Sequence, residues 1–286
     1  MSISMRAVTA DGILEKDDKA VEPEVFTFPG GEHHLRNIPD HPDIKAWVAC
    51  VRGSDPNDLV KAGLLSDVAL GRSQEFALLL PYAPAARADR GEPMGAGVYA
   101  EFVNAVGAHR VVILDPHSQM VVACLNDVVV ADHAPLIERA LKTSQKKFHA
   151  LIAPDKGATE RTRAVANRLD MDWYQAGKER DFDTGQIRGI KMTERLPKHG
   201  RYLVVDDICD GGGTFMGLAD ATGLPREKLG LWVTHGIFSG NAHLLRNCYE
   251  QIITTDSHPG HNRVDVATLI LPVYHHLLNT ALKGLL

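Results

Sequence analysis

Residues 201–223 read RYLVVDDICDGGGTFMGLADATG. Tyr202, Leu203, Val204 and Val205 form a short apolar run, which predicts a strand buried on both faces. Asp206 and Asp207 then fall at its carboxyl end, where α/β sheets place their ligands. Asp210, Gly211, Gly212, Gly213 and Thr214 make the turn into a helix over 214–222. Three glycines allow positive φ and close approach of the backbone to a ligand. Their N–H groups and the helix N-terminus favour an anion such as phosphate. The Thr214 hydroxyl suits a helix cap or a phosphate donor. Two adjacent carboxylates would repel that phosphate, so they read as acceptors for sugar hydroxyls or as groups facing magnesium. No Gly-Lys-Ser or Gly-Lys-Thr follows the glycines, which excludes a Walker A loop.

Outward from this segment, short apolar runs alternate with amphipathic stretches. Strands are predicted over 46–51, 75–80, 110–114, 120–125, 148–153, 202–205, 229–234 and 251–254. Helices are predicted over 57–72, 95–106, 134–141, 159–169, 214–222 and 241–246. Such alternation implies an α/β fold of parallel sheets flanked by helices. Residues 1–24 are mixed and polar and read as a partly disordered tail or an added edge strand. A polar break at 143–147 suggests two domains, 1–144 and 145–286. Residues 266–271 suggest a last short strand. Pro272 could then open a helix with Val273, Leu277, Leu278 and Leu282 on one face.

Hydrophobic residues are 44% and charged residues 23% of the 286, enough to bury a real core. A formal charge of −5 gives no reason to expect a nucleic-acid partner. The four cysteines form no CxxC pair, so neither a disulfide framework nor a zinc site is expected and a reducing cytoplasm fits. No stretch has the length and apolarity of a membrane helix or a secretory signal.

The 201–223 segment resembles the phosphoribosyl-pyrophosphate signature of type I phosphoribosyltransferases and of ribose-phosphate pyrophosphokinases. Further motifs resemble the pyrophosphokinases in order: FPGGEHHLRN at 28–37, LLPYAPAARADR at 79–90, VVILDPHSQ at 111–119, APDKGATERTRAVANRL at 153–169, GKERDFDTGQI at 177–187 and VTHGIFSGNA at 233–242. The resemblance implies two phosphoribosyltransferase type I-like domains. It implies transfer of the β,γ-diphosphate of ATP to the 1-hydroxyl of ribose 5-phosphate, with magnesium as cofactor. It implies a homo-oligomer, dimer or hexamer, whose site lies between domains and takes residues from a neighbouring subunit.

Carried over by residue, Phe28, Gly30 and Glu32 would reach the adenine, and Arg87, Asp89 and His117 the rest of ATP. His117 and Asp155 would take magnesium. Lys178, Arg180 and His117 would be catalytic. Asp206, Asp207, Asp210, Gly211, Gly212, Gly213 and Thr214 would hold the ribose phosphate. Read alone, these residues favour blander roles. Phe28 suits a core, Glu32 a surface, His117 a structural histidine and Asp155 a helix cap. Lys178-Glu179-Arg180-Asp181 suits an exposed charged loop. Only the resemblance reverses those preferences.

The departures bear on substrate. Gly211 stands where the family has a threonine, which removes a donor to the 5-phosphate and opens space. That space is compatible with a 5-extended ribose such as ADP-ribose, in NAD recovery. Gly30 stands where Asp or Asn is usual, and Ala88 where Gln is usual. After His117 the motif is one residue short. A phosphoribosyltransferase and a non-catalytic homologue are the rival readings; release of AMP from ATP by the chain alone separates both from the pyrophosphokinase.

Overall fold

The computed structural model describes every residue except 1, 17, 18, 145, 181–186, 264 and 286, and omits the side chains of 178–180, 187 and 188. The chain divides into two compact units, Met1–Ala131 with Val273–Leu286, and Asp132–Pro272.

In the first unit, β1 (Ile3–Thr9) and β2 (Gly12–Ile13) join a six-stranded sheet. Two short hairpins follow, β3 (Glu15–Lys16) with β4 (Lys19–Ala20), and β5 (Glu24–Thr27) with β6 (His33–Arg36). The sheet continues with β7 (Ala46–Val51), β8 (Glu75–Leu80), β9 (Arg110–Leu114) and β10 (Val128–Ala131), in the order β10-β9-β8-β7-β1-β2. Strands β7 to β10 are parallel. Every residue of β7 is buried, which accounts for its unbroken apolar sequence. Helices α1 (Pro56–Gly71), α2 (Gly95–Ala105) and α3 (Gln119–Cys124) connect the strands. The Asp55 side chain accepts from Asn57 N and starts α1, with Pro56 in its first turn.

Of the two readings of residues 1–24, the added strand holds: β1 joins the sheet antiparallel to β7, with Ile3 opposite Val51 and Val8 opposite Ala46, and only the two-residue β2 lies beyond it. One expectation changes here. Residues 120–125 are not a strand. Ser118 caps α3 by accepting from Met120 N at 3.0 Å. The Asn104 amide closes its other end, donating to Cys124 O at 2.9 Å and accepting from Asn126 N at 2.9 Å. The strand slot belongs to β10.

The second unit opens with α4 (Ala134–Thr143), β11 (Ala150–Ala153), α5 (Thr159–Leu169) and β12 (Asp172–Arg180). It continues through β13 (Ile187–Met192), β14 (Tyr202–Cys209), α6 (Gly213–Thr222), β15 (Leu229–Gly236), β16 (Gln251–Thr255) and β17 (Leu269–Leu271). The sheet order is β13-β12-β11-β14-β15-β16-β17, with only β13 antiparallel. From β11 the chain moves through α5 to β12 on one side; from β14 it moves through α6 to β15 on the other. The order therefore reverses between β11 and β14, and the crevice at their carboxyl ends is where such sheets bind ligands. Residues 241–246 form a 3₁₀ turn, Ala242–Asn247, rather than an α-helix.

The division falls before α4 rather than after it, because α4 packs on α5 and β17. The last helix, Tyr274–Leu282, belongs to the first unit. It buries Tyr274, Leu277, Leu278 and Ala281 against β8, β9 and β10, and Arg110 donates to Ala281 O at 3.0 Å.

Candidate functional site

The second unit assembles its site at that reversal. Asp206 and Asp207 end the buried part of β14. Arg161, in the first turns of α5, lies between them: Nη1 is 3.5 Å from Asp206 Oδ1 and Nη2 is 3.4 Å from Asp207 Oδ2. Thr162, fully buried beside it, donates to Val205 O at 3.5 Å and ties α5 to β14. Backbone N–H groups fix the carboxylates further: Asp207 N donates to Asp206 Oδ1 at 3.0 Å and Ile208 N to Asp207 Oδ1 at 2.8 Å. The guanidinium spans the two carboxylates, and each carboxylate keeps acceptor capacity for a further hydrogen bond.

Burial, then the Asp207 carboxylate, push the Asp206 carboxyl well above its usual range, with Arg161 pulling the other way. The folded state therefore holds a proton that the unfolded chain sheds near 3.8. Stability is expected to fall as pH rises from about 4 toward the raised value. Asp206→Asn should flatten that slope and should match or exceed the parent in urea midpoint near neutral pH. A difference between variant and parent that is constant with pH would contradict it.

The loop that follows places its glycines unequally. Gly212 caps α6 with φ +80° and ψ −4°, and a Cβ there would lie 3.1 Å from Leu245 Cδ1 and Cγ. Gly211 and Gly213 face open space. No side chain caps α6, so the N–H groups of its first turn stay available to an anion. Thr214 is exposed and its hydroxyl is not the cap. Asp210 is held from behind: Ser239 Oγ donates to its carboxylate and Ser239 N to its carbonyl at 3.1 Å. Ile237 N and Phe238 N both donate to Cys209 O, at 2.9 and 3.1 Å. The 233–242 segment thus clasps the start of the 210–214 loop. Burial pushes the Cys209 thiol up to about 12, so it stays protonated and is no nucleophile.

Asp155 Oδ1 accepts from Gly157 N at 2.9 Å and from Ala158 N at 3.4 Å, capping the 3₁₀ turn Lys156–Ala158. The capping role read from its Pro-Asp setting is therefore present. Lys178 and Arg180 lie on β12, with Lys178 opposite Ile190 and Arg180 opposite Ile187. Their side chains lie outside the described residues.

In the first unit, the candidate ATP residues sit on a hairpin and on two loops after sheet strands. Phe28 and Glu32 close the β5–β6 turn, where Phe28 N donates to Glu32 O at 2.8 Å. Phe28 is 46% exposed, so it is no core residue. A Cβ at Gly30 would lie 2.5 Å from Glu32 Oε2: the glutamate occupies the space of the missing side chain. Arg87 is exposed on the loop after β8. Asp89, on the same loop, is hydrogen-bonded to Ser118, which holds its carboxyl below the usual value, and lies 3.4 Å from Arg90 Nε. Ser118 neighbours His117 on the loop after β9, so this bond joins the two loops. Buried Asp115, at φ +41°, turns the chain there and leaves His117 exposed.

Among the described residues no three His, Cys, Asp or Glu side chains cluster to hold a metal. Arg161 and Ser239 are partners of the candidate residues that the sequence reading did not single out, although both lie inside its quoted motifs. Only the fold brings them to Asp206, Asp207 and Asp210.

No protein-family model matches the chain. It is 29% identical over 248 residues to a protein named ribose-phosphate pyrophosphokinase from Sulfurisphaera tokodaii, covering 81% of this chain and 83% of the other. It is 29% identical over 283 residues to one of the same name from Methanopyrus kandleri, covering 92% and 93%. The crystal structure of phosphoribosylpyrophosphate synthetase from Mycobacterium smegmatis superposes with a TM-score of 0.69 at 22% identity, covering 93% of this chain and 90% of that one. Such a superposition establishes a shared fold. With the relatives matched along most of their length and the ordered motifs in place, the chain is similar to ribose-phosphate pyrophosphokinases over most of its sequence.

Proposed function

We propose that the protein transfers the β,γ-diphosphate of ATP to the 1-hydroxyl of ribose 5-phosphate, giving phosphoribosyl pyrophosphate and AMP. The observation that carries this reading is the Asp206–Arg161–Asp207 cluster set directly before the Gly211–Thr214 loop. A diol acceptor and an anion cradle on one strand–turn–helix are what a ribose 5-phosphate needs. Asp206 and Asp207 accept hydrogen bonds from the ribose hydroxyls. The N–H groups at the start of α6, with the Thr214 hydroxyl, receive the 5-phosphate. Asp210 is held by Ser239 and keeps the loop in register. In the first unit, Phe28 and Glu32 receive the adenine, and Arg87, Asp89 and His117 the phosphates and their surroundings. The 1-hydroxyl attacks the β-phosphorus in line and AMP leaves. Lys178 and Arg180 clamp the transferring phosphates and offset the charge that develops on them.

Magnesium suits these residues. Exposed His117 and partly capped Asp155 make no cage of their own, and this ion is bound through few protein ligands plus substrate phosphates. When bound, it neutralises and orients the ATP phosphates. Among the described residues no helix is long and apolar enough to cross a membrane. A cytoplasmic homo-oligomer, dimer or hexamer, is the assembly we propose.

The test is to incubate the purified chain with magnesium, ATP and ribose 5-phosphate. AMP and phosphoribosyl pyrophosphate should appear in equal amounts. Formation of ADP, or no nucleotide product, would overturn the reading. A phosphoribosyltransferase would instead consume phosphoribosyl pyrophosphate without releasing AMP. Gly211→Thr sharpens it: with open space at that Cβ and no positive φ, the variant should fold as the parent does. Its added hydroxyl should lower KM for ribose 5-phosphate about tenfold, the effect of one hydrogen bond to a charged group. An unchanged or raised KM would show that position 211 does not face the 5-phosphate.

A further inference from the structure

The β5–β6 hairpin carries more chemistry than Phe28 and Glu32. Its register pairs Glu24 with Arg36, Val25 with Leu35, Phe26 with His34 and Thr27 with His33. Alternation sends Val25 and Leu35 into the unit's core, and Leu35 is 5% exposed. Glu24, Phe26, His34 and Arg36 therefore share the opposite face. There the Phe26 and His34 rings stack with centroids 5.7 Å apart and planes 9° apart. Phe28 stands edge-on to both, at 4.8 Å from Phe26 and 6.0 Å from His34. The Arg36 guanidinium lies 5.3 Å over the Phe26 ring and pairs with Glu24. A two-stranded ribbon does not display a phenylalanine and an imidazole to water for its own stability.

The tautomer of His34 follows from its bonding. Leu35 N donates to His34 Nδ1 at 2.7 Å. Nδ1 is thus an acceptor, and in the neutral ring the proton sits on Nε2. His34 is exposed, and no partner for Nε2 occurs among the described residues. The same hairpin has no side chain at position 30, because Glu32 fills that space. It therefore offers one carboxylate acceptor, one N–H donor and an aromatic surface.

We propose that His34 is a second base-reading residue, donating Nε2–H to a ring nitrogen of the purine that Phe28 receives; this rests on the assignment of the hairpin to the ATP base. An acceptor beside a donor matches the edge of adenine, whose amino group donates while the adjacent ring nitrogen accepts. Hypoxanthine presents the reverse pair, a carbonyl oxygen and a ring N–H. The hairpin therefore selects adenine over an oxo-purine, and His34 supplies half of that choice.

The experiment compares His34→Phe, His34→Gln and Phe28→Ala by AMP or IMP formation from ATP or ITP, and by calorimetric binding of α,β-methylene ATP. His34→Phe keeps a ring in the stack and removes the donor. It should raise KM for ATP and the analogue's Kd roughly three- to tenfold, leave kcat nearly unchanged and narrow the preference for ATP over ITP. His34→Gln returns an N–H donor and should recover most of that loss. If Phe28→Ala weakens nucleotide binding but His34→Phe does not, the role given to His34 is wrong and the hairpin still binds the base. If neither variant changes binding, the assignment of the hairpin to the base falls, and the role of His34 with it.

Discussion

Lys178→Ala is expected to lower kcat for AMP formation by about a thousandfold or more, the scale seen when a cation that stabilises transferring phosphates is removed. The reacting group carries several negative charges, and no protein nucleophile shares the work, so fixed positive charge is the chief lever on the barrier. The backbone of β12 stays in its antiparallel ladder with β13, Lys178 opposite Ile190, whatever side chain is present. Fold and urea midpoint should therefore match the parent. KM for ribose 5-phosphate should move less than about threefold, because the site proposed for that substrate is on β14 and α6. Lys178→Arg keeps the charge but not its point geometry and should recover only part of the rate. A Lys178→Ala protein with parental kcat would remove Lys178 from the mechanism. One with parental kcat and a large rise in KM would make it a binding residue only.

Legibility of the site followed the range of the interactions. The strand, the acids, the glycines and the helix of 201–223 are local, and each reports its own geometry. Arg161 to Asp206 spans 45 residues and Ser239 to Asp210 spans 29, so these partners became visible only once β11, β14 and β15 lay side by side. Residues 120–125 misled because a six-residue apolar run fits either period; the deciding signals were the Ser118 cap and the Asn104 amide at the far end. The hairpin at 24–36 escaped because its strands are only four residues each and its outward face mixes aromatic with charged side chains. The last helix carried the right apolar face, but nothing in its sequence says that β8, β9 and β10 receive it. The polar stretch at 143–147 looked like a boundary because it is polar. The boundary instead precedes α4, because the apolar face of that helix is buried on α5 and β17.

Gly212→Ala should separate the one conformationally required glycine of the loop from its two neighbours. Gly212 sits at φ +80°, where a Cβ crowds the backbone at about 1–2 kcal/mol. Its Cβ would also meet Leu245 at 3.1 Å, and Leu245 is fully buried in the core of the second unit. Pushing that side chain adds about 1–2 kcal/mol. The variant should therefore lose about 2–4 kcal/mol in urea denaturation. Gly213→Ala meets nothing within 4 Å and lies in the first turn of α6, so its stability should be unchanged or slightly raised. The same displacement reorients the N–H groups that open α6. KM for ribose 5-phosphate in Gly212→Ala should accordingly rise about tenfold or more, while KM for ATP stays near the parent's. A Gly212→Ala protein as stable as Gly213→Ala would mean the left-handed turn is not required. A stable loss with unchanged KM for ribose 5-phosphate would mean that the turn is structural and the anion is held elsewhere.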